Sequence, residues 1–211
     1  ASVWYYIRAD DHRDVEANFK WIQDIARGAA LMTRTKMRMK VDTDCHELIS
    51  NVPLAELLEG KLKAIGPPTF SQTEQAFARR LQQPLIEQFG TEFPKAIDES
   101  IRPYAESMAA RTRGSTDVGD ISWFVPTGGL RTSCLVAKSP GHSWQNVSCI
   151  GSTIGQKGIL YGAKVLAVTA LDLLENPEER AAARADWKLR TKDRKYTTLI
   201  PKGQKPPVKI R

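Results

Sequence analysis

The chain has 211 residues, 41% of them hydrophobic, and a formal net charge of +7. That is enough apolar content for a packed core, but no run approaches the roughly 20 apolar residues of a membrane span, so no membrane partner is expected. The basic excess is concentrated after Arg180, where Lys and Arg far outnumber the acidic residues; this pattern reads as a solvated tail and not as a nucleic-acid groove.

The elements can be taken in chain order. Residues 2–9, S-V-W-Y-Y-I-R-A, read as a strand rich in aromatic and β-branched residues. A strand pattern that starts at residue 1 without a methionine is expected of a piece cut from a longer chain. Asp10, Asp11 or Asp14 can cap the next helix, in which Val15, Phe19, Ile22, Ile25, Ala26 and Ala29 recur at helical spacing. M-R-M-K-V-D-T at 37–43 alternates like a half-buried strand. Pro53 opens a helix carrying Leu54, Leu57, Leu58 and Leu62, stopped by Gly66-Pro67-Pro68. Another helix is expected from about Ser71 to Phe89, with Pro84 inside it. S-C-L-V-A at 133–137 reads as a third strand. Ser152 to Leu174 reads as a long helix whose Gly155, Gly158 and Gly162 permit close approach of another backbone. Asn176-Pro177 ends it, a short charged helix follows, and the Pro- and Lys-rich end has no core character. The opening strand, helix and strand, with one wet face, predict an α+β sandwich fragment.

Two polar loops concentrate the chemistry: G-S-T-D-V-G-D-I-S-W at 114–123 and P-G-H-S-W-Q at 140–145. His142, on a short loop after Gly141, has the form of a Zn²⁺ or Mn²⁺ ligand, or of a histidine hydrogen-bonded at a surface turn. Asp117 and Asp120 are spaced to share one side of a turn, where they could bind a metal, orient a ligand or cap backbone N–H groups. His12, in D-D-H-R-D, is expected in solvent. His46, beside Cys45, has a faint metal-ligand character. Cys134 and Cys149 read as small core residues. Three cysteines without a C-x-x-C spacing exclude a disulfide scaffold and fit a reducing, cytoplasmic setting. No nucleophile elbow, P-loop or H-E-x-x-H is present.

These two loops, with W-Y-Y-I-R-A and the helix I-G-Q-K-G-I-L-Y-G-A-K-V-L-A, resemble the M20 family of metallopeptidases and amidohydrolases, and within it the branch acting on p-aminobenzoyl-glutamate. The resemblance implies that residues 1–52 are part of a lid domain that makes a homodimer contact. It implies an α/β fold in which residues 53–211 are the C-terminal part of a metallopeptidase-like catalytic domain. His142 matches the family's last metal ligand, to zinc or manganese. Arg8 stands where relatives grip a substrate carboxylate, a task suited to a guanidinium fork. Ser115, Thr116 and Asp117, with Gly141, match the substrate loops, although Thr-Asp replaces the usual acidic pair. The family's remaining ligands and its catalytic glutamate have no counterpart here and would lie in a preceding N-terminal part. The implied activity is metal-assisted hydrolysis of N-acyl amino acids, p-aminobenzoyl-glutamate-like amides or dipeptides, with this chain inactive alone. The competing expectation is a non-catalytic dimerisation module.

Overall fold

The computed structural model describes residues 1–90, 95–109 and 114–206. Among these the regular structure is helical: α1 (His12–Met32), α2 (Val52–Ile65), α3 (Gln72–Phe89), α4 (Tyr104–Ala109), α5 (Val118–Ser122), α6 (Trp144–Ile150), α7 (Thr153–Glu175) and α8 (Pro177–Thr191). The helix boundaries follow local chemistry. Asp11 caps α1 by accepting from the Asp14 N–H, and Asn51 caps α2 with Pro53 in its first turn. Ser71 and Glu74 close a capping box on α3, and Gly90 ends that helix in the left-handed region. Ser143 and Ser152 cap α6 and α7.

The expected α/β fold is overturned, because no strand occurs among the described residues. A strand pattern secures an extended backbone but needs a partner for its N–H and C=O groups. Residues 2–9 carry no regular structure, with Val3, Trp4, Tyr5 and Tyr6 between 66% and 73% exposed, so neither face is buried. The 37–43 segment likewise has no ladder, and Met37 and Met39 stay exposed. At 133–137 turns take the backbone instead: Cys134 N–H donates to Thr132 and Ser139 N–H to Val136, leaving a single bond from Ala137 N–H to the Ala96 carbonyl. One bond is not a sheet, and the α+β piece falls with the strands. The part of the basic tail from residue 207 onward lies outside the described residues.

The chain forms two units. The first comprises residues 1–50, 112–127 and 187–211, and the second residues 51–111 and 128–186. In the second, Ala78, Leu81, Ala96, Ile97, Val136, Cys149 and Ile154 make one buried cluster, and Leu58, Tyr161 and Val165 another. Cys149 is fully buried, as its sequence context suggests, and burial pushes its thiol up to about 11. The glycine reading of α7 holds at Gly158: a Cβ there would come within 2.4 Å of Cys134 Sγ and 2.6 Å of the Ser133 carbonyl oxygen. Asn51 Nδ2 donates to the Ala183 carbonyl and Lys61 pairs with Asp172, fastening α2 to later helices. The first unit is built differently. Its buried residues include His12, His46, Ile49, Gly119 and Ser122, a largely polar interior whose groups must find partners inside the protein. Among the described residues no helix is long and apolar enough to cross a membrane.

Candidate functional site

The second unit holds Gly141 and His142. Both are exposed on the turn that enters α6, and His142 takes a left-handed backbone with φ of 55°. A non-glycine residue in that region is uncommon and points to a local constraint. Here the constraint comes just before Ser143, whose hydroxyl accepts from the Asn146 N–H to start the helix. Asn146 Nδ2 donates back to the Pro140 carbonyl, closing the loop on itself. The imidazole of His142 therefore stands on a braced turn and faces outward. A Cβ on Gly141 would meet nothing within 4 Å.

Arg8, Ser115, Thr116 and Asp117 fall in the first unit, all exposed. Asp117 occupies the position before α5 but makes no capping bond there; the Val118 N–H goes to Thr116 Oγ1 instead. Asp120 has turned the other way, so the Asp117–Asp120 pairing suggested by spacing does not form. Asp120 Oδ1 accepts from the His46 backbone N–H at 3.0 Å and the Tyr196 hydroxyl at 3.2 Å, and lies 3.0 Å from His46 Nδ1.

That contact opens onto a cluster the sequence reading missed. His12, expected in solvent, is 4% exposed. Its N–H donates to Glu47, and Nε2 lies 2.9 and 3.1 Å from the two Asp44 oxygens. The rings of His12 and His46 stack with centroids 3.7 Å apart and planes 13° apart, and Tyr196 stacks near His46 at 4.2 Å. Trp123 meets His46 edge-on and donates from its indole to the Glu47 carbonyl. A carboxylate only accepts, so the Asp120 contact places a proton on His46 Nδ1 and leaves Nε2 as the ring's other nitrogen. That Nε2 is buried and has no hydrogen-bond partner. One signal for this cluster was available: Asp44 and His46 are two apart, the spacing that shares one side wherever a backbone is extended. Nothing in the spacing linked them to His12, Asp120 or Tyr196.

A metal requires three or four converging ligands. Among the described residues no group of three or more His, Cys, Asp or Glu side chains could hold one. The residues present therefore do not make a metal site by themselves. His46 is committed to Asp120 and the ring stack, and neighbouring Cys45 is exposed with its thiol pushed up by burial and the Asp120 charge.

Comparison with known proteins supplies the class. No family model matches the chain, and no solved structure matches it significantly. Xaa-Arg dipeptidases of Homo sapiens and Mus musculus are 26% and 25% identical over 93% and 90% of the chain, covering 37% and 36% of their own lengths. One p-aminobenzoyl-glutamate hydrolase subunit, from Escherichia coli (strain K12), is 31% identical over 98% of the chain and 47% of its own length. By sequence the chain is a homologue of these hydrolases, which are of the M20 type its motifs resemble. It spans less than half the length of each of these curated relatives.

Proposed function

We propose that this chain is part of an amide-bond hydrolase acting on p-aminobenzoyl-glutamate-like N-acyl amino acids or on dipeptides, Xaa-Arg among them. The observation that carries the reading is the identity to a p-aminobenzoyl-glutamate hydrolase subunit, which runs through 98% of the chain. The geometry supports it at His142, whose ring is held outward by a braced turn in place of being consumed by the core. In this reading His142 is one ligand to a divalent metal, zinc or manganese. The other ligands come from the half of such a hydrolase that this chain does not span. The bound metal would polarise the scissile carbonyl and activate water. The chain's own contribution beyond His142 is recognition. Arg8 offers a guanidinium to a substrate carboxylate, and the exposed hydroxyls of Ser115 and Thr116, with Asp117, offer further polar contacts. A homodimer is the assembly proposed for the whole hydrolase, and this chain alone is expected to be inactive.

The test uses the whole hydrolase that carries this chain, assayed on p-aminobenzoyl-glutamate and Xaa-Arg dipeptides with and without a chelator. Turnover should depend on metal. His142→Ala should lower kcat/KM by on the order of a hundredfold or more while the helical circular dichroism and melting temperature stay unchanged. Chelator-insensitive turnover, or full activity in the variant, overturns the metal-ligand reading.

A further inference from the structure

The ring stack in the first unit joins three distant stretches of chain, and the last of them is held almost wholly by groups around the two histidines. Tyr196 stacks near His46 and donates to Asp120. Thr198 Oγ1 and Leu199 N–H donate to Asp44, the carboxylate that faces His12. Thr197 donates to Glu16 and Arg194 to Glu47. Beyond these, Gln204 donates to the Val41 carbonyl. The segment from 192 to 206 is thus a strap with no regular structure after its first turn, fastened by side chains.

We propose that the stacked imidazoles of His12 and His46 form a proton-operated clasp that holds this strap in place and releases it when both rings carry charge. The titratable and charged groups facing the stack are Glu16 from α1, Asp44, Cys45 and Glu47 from the segment before α2, Asp120 from α5, and Arg194 and Tyr196 from the strap. They treat the two rings differently. His12 has a carboxylate at each nitrogen, Asp44 at 2.9 Å from Nε2 and Glu16 at 3.6 Å from Nδ1. A positive charge on His12 is therefore matched on both sides. His46 has already committed Nδ1 to Asp120, so a second proton must enter at Nε2, which is buried without an acceptor. A buried donor without a partner is costly, and a second positive charge would face the first across 3.7 Å of stacked rings.

Asp44 and Asp120 offset part of that repulsion, but neither reaches the orphaned nitrogen in the present arrangement. The second proton is accommodated by sliding the rings apart, and the Tyr196 ring on His46 moves with them. Histidine changes charge in the mildly acidic range, so the strap should be fastened at neutral pH and loosened below it.

The experiment is hydrogen exchange on the intact protein at about pH 7.5 and about pH 5, corrected for the intrinsic pH dependence of exchange. Peptides covering 195–204 should lose at least about tenfold of their protection at the lower pH, while α7 in the other unit keeps its own. His46→Asn retains a short donor for Asp120 but cannot take up charge, so its strap should stay protected at both values. Equal loss in that variant, or no loss in the wild type, overturns the proposal. Should His46→Asn fail to fold, imidazole ¹⁵N resonances of the wild type decide the matter. One ring should charge with the strap in place and the second only in step with its release. Both rings charging while the Tyr196 resonances stay unchanged would also overturn it. The amidohydrolase reading is unaffected by either result.

Discussion

Glu74 offers a direct test of how the second unit is held together. Its carboxylate is 9% exposed and lies at the third position of α3. Oε2 accepts from the Ser71 N–H at 2.7 Å and from Lys157 Nζ at 2.7 Å, and Oε1 accepts from the Thr153 hydroxyl at 2.6 Å. One side chain therefore caps its own helix and binds the first turns of α7. These donors, the Lys157 ammonium foremost, hold the carboxyl at about 2 against an ordinary 4.5. A depression of that size corresponds to at most about 3 kcal/mol of stability at neutral pH. Because the Lys157 side chain is 40% exposed, solvent screening reduces the expected share to about 2 kcal/mol. The sign follows from a folded value below the unfolded one: the stabilisation is complete above about pH 4.5 and is lost as pH falls toward 2. Glu74→Gln keeps the shape and removes the charge. In urea titrations followed by circular dichroism, the variant should be weaker by about 2 kcal/mol at pH 7, with the gap narrowing steadily toward acid. Equal stability at pH 7, or a gap that persists unchanged to about pH 2, would refute the assignment of Glu74 as an ionised bridge.

Three further perturbations separate the units and their interiors. A Cβ at Gly119 would come within 2.1 Å of the His46 carbonyl oxygen, so Gly119→Ala should destabilise the first unit by about 2 kcal/mol or more, read as a lower melting temperature by tryptophan fluorescence. At Gly162 the nearest atom to an added Cβ is 3.5 Å away. Gly162→Ala should therefore be neutral or stabilising by up to about 1 kcal/mol in the same melt. Thiol labelling followed by mass spectrometry should modify exposed Cys45 first, and Cys149 only once the protein is unfolded.

Local chemistry was legible wherever a few adjacent residues decide the outcome. Ser71 to Glu74 spells a capping box, Asn51-Val52-Pro53 a helix start, and Asn176-Pro177 a helix stop, and each lies where that chemistry puts it. Gly158 needed a distant contact to be understood, but the absence of a side chain inside an apolar helix already announced one. The strands failed because an alternating or aromatic run states only what a backbone prefers, and pairing depends on a neighbour that local sequence does not specify. Residues 2–9 show the failure plainly, with the strand-like run present and the ladder missing. His142 could be singled out because its loop chemistry is compact. His12 and His46 could not: His12 meets Asp44 32 residues on, His46 meets Asp120 74 residues on and Tyr196 later still, and acidic residues around His12 look the same in solvent as in a buried cluster.

The patchwork assembly of the first unit also governs when it can form. Its interior draws on residues before Ser50, on the α5 region and on the stretch after Trp187. During synthesis His46 leaves the ribosome well before Tyr196 is made, and at roughly 5–20 residues per second the delay is roughly 8–30 s. Through that interval His46 lacks the Tyr196 ring, and Asp44 lacks its Thr198 and Leu199 donors. The second unit waits in the same way for Ala183, whose carbonyl receives Asn51. Neither unit can be completed in the order in which it is translated: the first waits for the stretch from Trp187 onward and the second for Ala183.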